Sequence, residues 1–202
     1  SFDTQQNAQL TSEPYSDQWA PGYSHDGTRI AYLSEQTDGS SQIWIMDANG
    51  ANQRQITNWY GSESIVGVSW SPDDSQLIVT LLGDMRRLAL MPAGGGELFG
   101  YVGPSSSFAS ASQNGMMVYA SDDGNPLDTT LYSGVFANPE QASWLGFGDA
   151  PIVRADGAYV IGQIGAPGGR SIVTYPLSAT WAALPTPPQV GDDSNPVWLT
   201  TD

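Results

Sequence analysis

The sequence predicts an all-β protein, a β-propeller of four-stranded antiparallel blades, and three observations predict it. The first is a strand–turn–strand signature. Val66, Val68 and Trp70 alternate at period two, Ser71-Pro72-Asp73-Asp74-Ser75 follows, and Leu77, Ile78 and Val79 resume an apolar run. Pro72 presets φ for a turn, and the two aspartates can bond to their own backbone there. The second is recurrence. Residues 23–32, 111–120 and 153–161 repeat the signature, and 198–202 begins it again. With Gly27, Asp74, Gly115, Gly157 and Asp202 taken as equivalent, the spacings are 47, 41, 42 and 45 residues. A period of roughly 40–45 residues with about four strands in each marks a propeller. The third is the absence of convincing helical periodicity in any segment.

Each blade can be drawn in order. The first, residues 18–58, carries strands near 19–24, 29–34, 42–47 and 53–57. Between its last two strands stands Asp47-Ala48-Asn49-Gly50, with an Asn-Gly hairpin signal. The second blade, 65–102, has strands near 66–70, 76–81, 87–91 and 98–102. Ala93-Gly94-Gly95-Gly96 replaces its Asn-Gly turn. The third, 108–147, has strands near 108–112, 116–121, 130–136 and 142–147. The fourth, 150–184, has strands near 151–154, 158–163, 171–175 and 180–184. Residues 7–11 read as an outer strand and 195–202 as an inner one, the two parts of an incomplete closing blade. The middle strands that would bridge them are missing, and unpaired edges aggregate. The expectation is therefore a piece of a longer propeller, or a ring completed by a partner's strands. The chain opens on Ser1 without a leader, which is read as a leader or preceding domain removed.

Composition bounds the function. The chain has 202 residues, enough for one all-β domain, and no cysteine, which excludes disulfides and thiolate chemistry. Six basic residues, all arginine, stand against 21 acidic ones, for a net charge of −15. Such a surface repels phosphates and anionic lipid, so nucleic acid and basic-patch membrane binding are not expected. Charged residues are only 13% of the chain, with polarity supplied by Ser, Thr, Asn, Gln and Gly. By compositional association, that points outside the cytoplasm, to a bacterial periplasm, surface or secreted setting. No apolar run approaches the roughly 20 residues of a membrane helix.

The W-S-P-D-D turn within 62–77, with Gln42-Ile43-Trp44-Ile45-Met46-Asp47, Asn49-Gly50 and Arg54-Gln55-Ile56-Thr57 in the first repeat, resembles the TolB-type propeller repeat. The resemblance is close in the first two repeats and weaker in the third and fourth, where Gln113-Asn114-Gly115 and Arg154-Ala155-Asp156-Gly157 lack Ser-Pro-Asp. It implies the fold more than the function. The repeat occurs in periplasmic scaffold proteins, in propellers capping serine peptidases, in oligogalacturonate lyases and on the extracytoplasmic side of bacterial kinases.

Candidate chemistry is sparse. His25, the single histidine, stands where the turn proline would be and reads as a turn residue. Neighbouring Ser24 and Asp26 cannot form a triad with it, and one histidine does not make the multi-histidine metal site of an oligogalacturonate lyase. Asp122, Asp123, Asn125 and Asp128 could gather around Ca²⁺, but their spacing matches no EF-hand loop, and Asp192-Asp193 is equally unspecific. These aspartates read as solvated turns. Trp70 and Trp198 share a repeat position with Tyr23, and Trp44 shares one with Tyr132, so all read as inter-blade core. Trp59-Tyr60, beside Gly61, and Arg86-Arg87 are the candidates for partner contact. No catalytic, cofactor or metal residue is expected. The expected function is non-enzymatic protein binding or scaffolding in an envelope, surface or extracellular assembly. The alternatives are a propeller gating a serine peptidase, or a ligand sensor in a larger protein.

Overall fold

A computed structural model describes residues 8–12, 16–102, 106–121, 129–166 and 169–177. It is all-β apart from one 3-10 turn, Pro139–Gln141. Blade 1 is β1 (Gln18–Tyr23), β2 (Arg29–Glu35), β3 (Ser41–Asp47) and β4 (Arg54–Gln55). Blade 2 is β5 (Ser64–Trp70), β6 (Gln76–Leu82), β7 (Arg86–Pro92) and β8 (Phe99–Val102). Blade 3 is β9 (Ser106–Ala111), β10 (Met116–Ser121), β11 (Thr130–Val135) and β12 (Ser143–Phe147). Blade 4 shows β13 (Asp149–Val153), β14 (Tyr159–Ala166) and β15 (Gly169–Pro176). Every pairing is antiparallel between neighbours in sequence, the up-and-down order of a propeller blade.

The expected strands at 180–184 and 195–199, Asn7, and the Asp122–Asp128 and Asp192-Asp193 clusters lie outside the described residues. Residues 8–12 carry no strand. Leu10 instead packs beside Ile30, Tyr32, Trp44 and Met46 on the outer face of blade 1, and its carbonyl accepts from Gln53 Nε2 at 2.6 Å.

The outermost strand of blade 1 is shorter than the pattern predicts, and the cause is a side chain. Ile56 N still donates to Ile43 O, at 2.9 Å. Ile43 N, however, donates to the Thr57 hydroxyl at 2.8 Å instead of to a main-chain carbonyl, so the ladder ends there.

The repeated turn holds the same main-chain bond in all four blades. Gly27, Asp74, Gly115 and Gly157 donate their amides to the carbonyls of Ser24, Ser71, Ser112 and Arg154 at 2.8–3.0 Å. Ser24, Ser71 and Ser112 donate their hydroxyls to Asp26, Asp73 and Asn114 two residues on. All four amide donors have left-handed φ, between 58° and 88°. Three are glycine and one is aspartate.

Alternation along the strands gives each blade two apolar faces. Ala31, Leu33, Ile43 and Ile45 of blade 1 meet Ile65, Trp70, Leu77, Val79 and Met91 of blade 2. Ile78 and Leu88 meet Ala109, Met117 and Tyr119 of blade 3. Val118, Ala120 and Leu131 meet Val153 and Val160 of blade 4. Full burial of such a side chain contributes about 1.5–3 kcal/mol, so these three layers are the main cohesion of the fold. Among the described residues no core cluster joins blade 4 to blade 1, and Tyr23, the repeat equivalent of buried Trp70, is 62% exposed.

Candidate functional site

Antiparallel order divides the propeller into two ends. The β1–β2 type turns and the β3–β4 type turns gather at one, the turn end. The β2–β3 type loops and the connections between blades gather at the other, the loop end.

At the loop end, blade 1 runs into blade 2 through Trp59, Tyr60, Gly61, Ser62 and Glu63. Fully buried Gln42 anchors this connection. Its Oε1 accepts from the Thr57 hydroxyl at 2.7 Å and from Trp59 N at 2.9 Å, while its Nε2 donates to Trp59 O at 2.8 Å. The Trp59 indole donates to Glu63 O at 2.7 Å. A Cβ at position 61 would stand 2.6 Å from that indole, which is why glycine follows Tyr60. The Glu63 carboxylate pairs with Arg87, and Arg86 lies 5.5 Å from the Phe108 ring centroid. Ser64, Leu82 and Arg86 share one rung of blade 2, which brings the hairpin 82–86 beside the connection.

The four candidate contact residues therefore share one end but differ in availability. Tyr60 is 67% exposed, and Met85, which the sequence did not single out, is 60% exposed. Trp59 is half-buried against the blade 1–2 core. Arg87 is held by Glu63 and Arg86 by Phe108, so neither is a bare cation. A cleft of about 340 Å³ lies between the outer edges of blades 1 and 2, lined by Thr57, Asn58, Trp59, Gly96, Glu97 and Leu98. Arg170 is likewise engaged, its guanidinium donating to Gln163 Oε1 at 3.0 Å.

At the turn end, His25 sits in the blade 1 turn as expected. Sequence reasoning missed its partners. Nδ1 lies 2.8 Å from Asp74 Oδ1 and Nε2 lies 2.9 Å from Ala111 O. An aspartate orienting a histidine is half of a hydrolytic triad. The other half is replaced, since a main-chain carbonyl occupies the place of a serine hydroxyl, and Ser24 Oγ turns to Asp26. The arrangement cannot activate a nucleophile at that nitrogen. The signal that could have revealed the pair is the aspartate at position 74, where the other three described repeats have glycine.

The turn carboxylates are strongly held. The Ser24 hydroxyl, then the Thr28 amide and hydroxyl, hold Asp26 down at about 2, below the ordinary 3.8. The Ser75 and Ser71 hydroxyls lower Asp73 in the same way. Among the described residues no group of three or more His, Asp or Glu is placed to hold a metal ion, and no helix is long and apolar enough to cross a membrane.

No protein-family model matches the sequence. Solved structures do resemble the fold. TolB from Acinetobacter baumannii superposes with a TM-score of 0.71 at 18% identity, over 87% of this chain and 45% of that one. The chain has the TolB-type β-propeller fold. A putative TolB from Agrobacterium tumefaciens gives 0.63 at 15% identity, over 85% of this chain and 65% of that one. A prolyl endopeptidase gives 0.57 at 11% identity, over 80% of this chain and 28% of that one. The TolB-like chain thus spans less than two thirds of each, and these likenesses speak for the fold.

Proposed function

We propose that this TolB-like propeller is a non-enzymatic protein-binding module that engages its partner through the loop end. The observation that carries the reading is the pairing of exposed Tyr60 and Met85 with a connection that is itself rigidly anchored. Aromatic residues, Met and Arg are the types enriched at interface cores, and a pre-positioned side chain loses little entropy on binding. Gln42 holds the main chain next to Tyr60, and the Glu63–Arg87 pair ties the connection to the strand that follows Met85. The turn end is the poorer candidate, because its polar groups are bonded to one another across blades. The setting we propose is extracytoplasmic, in a bacterial envelope, surface or extracellular assembly, supported by the acidic, lysine-free composition and the TolB likeness.

Photo-crosslinking tests this reading. A photoreactive residue placed at Tyr60 or Met85 is expected to capture a discrete protein partner from the cell envelope, and one placed at Asp73 or Asp156 is not. Equal capture from both ends, or none from the loop end, would contradict it. The peptidase-gating alternative predicts instead that capture from Tyr60 returns a hydrolase domain on the same polypeptide.

A further inference from the structure

We propose that His25 and Asp74 form a protonation-dependent clasp that ties blades 1, 2 and 3 together at the turn end. Asp74 occupies the left-handed position that Gly27, Gly115 and Gly157 hold in the other repeats, at φ 58°. A side chain there is strained relative to glycine, and strain of this kind persists where the surroundings fix it. The surroundings here are specific. The carboxylate of Asp74 is 8% exposed and reaches across to the blade 1 turn. Its Oδ1 accepts from His25 N at 2.8 Å, and its Oδ2 accepts from Asp26 N at 2.9 Å. Blade 3 closes the clasp from the other side, with Ala111 O facing His25 Nε2 and Gln113 Nε2 donating to His25 O at 3.0 Å.

Both ring nitrogens of His25 thus face oxygens, a carboxylate of blade 2 and a carbonyl of blade 3. A neutral imidazole has one donor and one acceptor, whereas the imidazolium donates from both. Only the protonated ring satisfies both contacts at once. Without the ring proton, one nitrogen lone pair is directed at an oxygen lone pair, and one of the two inter-blade contacts is lost. The charged groups facing the ring agree with this. Asp74 approaches from blade 2. Within blade 1, the carboxylate of Asp26 is turned to Ser24 and Thr28, and Arg29 donates to Asp74 O while lying 4.5 Å from the Trp70 ring centroid. From blade 3 only the neutral groups of Ala111 and Gln113 face it among the described residues. The clasp is closed while the ring carries a proton on both nitrogens, one facing Asp74 and one facing Ala111 O, and it opens when one of those protons is lost. This inference is independent of the binding reading.

Because His25 is the only histidine, its state can be read directly. In the ¹⁵N-labelled full chain at about pH 6, long-range ¹H–¹⁵N spectra are expected to show two protonated-type ring nitrogens. One protonated and one bare nitrogen in the folded protein would overturn the proposal. The second measurement compares urea midpoints at about pH 6 and about pH 8.5. The wild type is expected to lose midpoint on going to the higher pH, and His25→Gln and Asp74→Asn to lose that difference. A wild type that is indifferent to the change, or a difference that persists in His25→Gln, would overturn it. Should either variant fail to fold, the wild-type spectrum alone decides.

Discussion

The indole Nε1 of Trp70 donates to the carbonyl of Gly22 at 2.9 Å, so the inner strand of blade 2 is hydrogen-bonded to the inner strand of blade 1 by a buried aromatic ring. Related links continue around the inner strands. Ser69 Oγ donates to Ala109 O at 2.6 Å between blades 2 and 3, and Val153 N donates to Ser110 Oγ at 3.0 Å between blades 3 and 4. Replacing Trp70 with Ala removes both the ring's packing and the bond, and should cost about 3–5 kcal/mol in denaturant unfolding. A loss under about 1 kcal/mol, the size of a surface effect, would contradict its place between blades.

Gln42 is the anchor of the candidate contact loop. Replacing it with Leu keeps most of the volume but leaves Trp59 N, Trp59 O and the Thr57 hydroxyl without their partner. Unmade bonds to buried groups cost about 1–3 kcal/mol each before relaxation, so Gln42→Leu should destabilise by about 2–4 kcal/mol. It should also free Trp59, read as altered indole fluorescence. Unchanged stability and emission would mean that the connection is held by something else.

Acid should weaken the turns in a defined direction. The folded Asp26 carboxyl sits at about 2, against 3.8 ordinarily, and Asp73 is lowered by the same kind of hydroxyl and amide bonds. A depressed folded value means that the bonded carboxylates favour the fold above the unfolded value. That contribution disappears as pH falls from about 4 towards about 2. An Asp26→Asn, Asp73→Asn double variant should therefore show a shallower acid slope of its unfolding midpoint than the wild type. Parallel curves would show that these hydrogen bonds do not couple to stability.

Gly157 tests the repeat from a third side. Its φ is 67°, and an added Cβ would meet the Asn114 amide at 2.4 Å, the same amide that donates to Asp156 O at 2.8 Å. Gly157→Ala should displace Asn114, break this link between the blade 3 and blade 4 turns and destabilise by about 1–3 kcal/mol. A neutral effect would mean that the two turns are not coupled.

The blades could be read from sequence because the turn chemistry and the period-two alternation are local. Ser-Pro-Asp-Asp followed by Leu77, Ile78 and Val79 specifies a turn and a strand without knowledge of anything distant. The strand bounds differ from expectation where a distant partner intervenes, as when the Thr57 hydroxyl takes the ladder partner of Ile43. That Trp59, Tyr60, Arg86 and Arg87 share the loop end follows from the strand order alone. That Glu63 holds Arg87 and that Gln42 holds Trp59 depends on contacts 15 or more residues apart, which no local pattern encodes. The partners of His25 were not read from sequence, because Asp74 and Ala111 lie 49 and 86 residues away from it.

The two ends differ: at the turn end the Asp74 carboxylate binds main-chain amides of blade 1, whereas Tyr60 stands exposed at the loop end. Hydrogen exchange of the full chain by NMR tests this most directly. The amides of His25 and Asp26, bound by the Asp74 carboxylate, should exchange at least roughly tenfold more slowly than the amide of Tyr60, as hydrogen-bonded groups that open only with the surrounding structure do. Exchange of His25 and Asp26 as fast as that of Tyr60 would contradict the asymmetry, and with it the assignment of the loop end as the binding face.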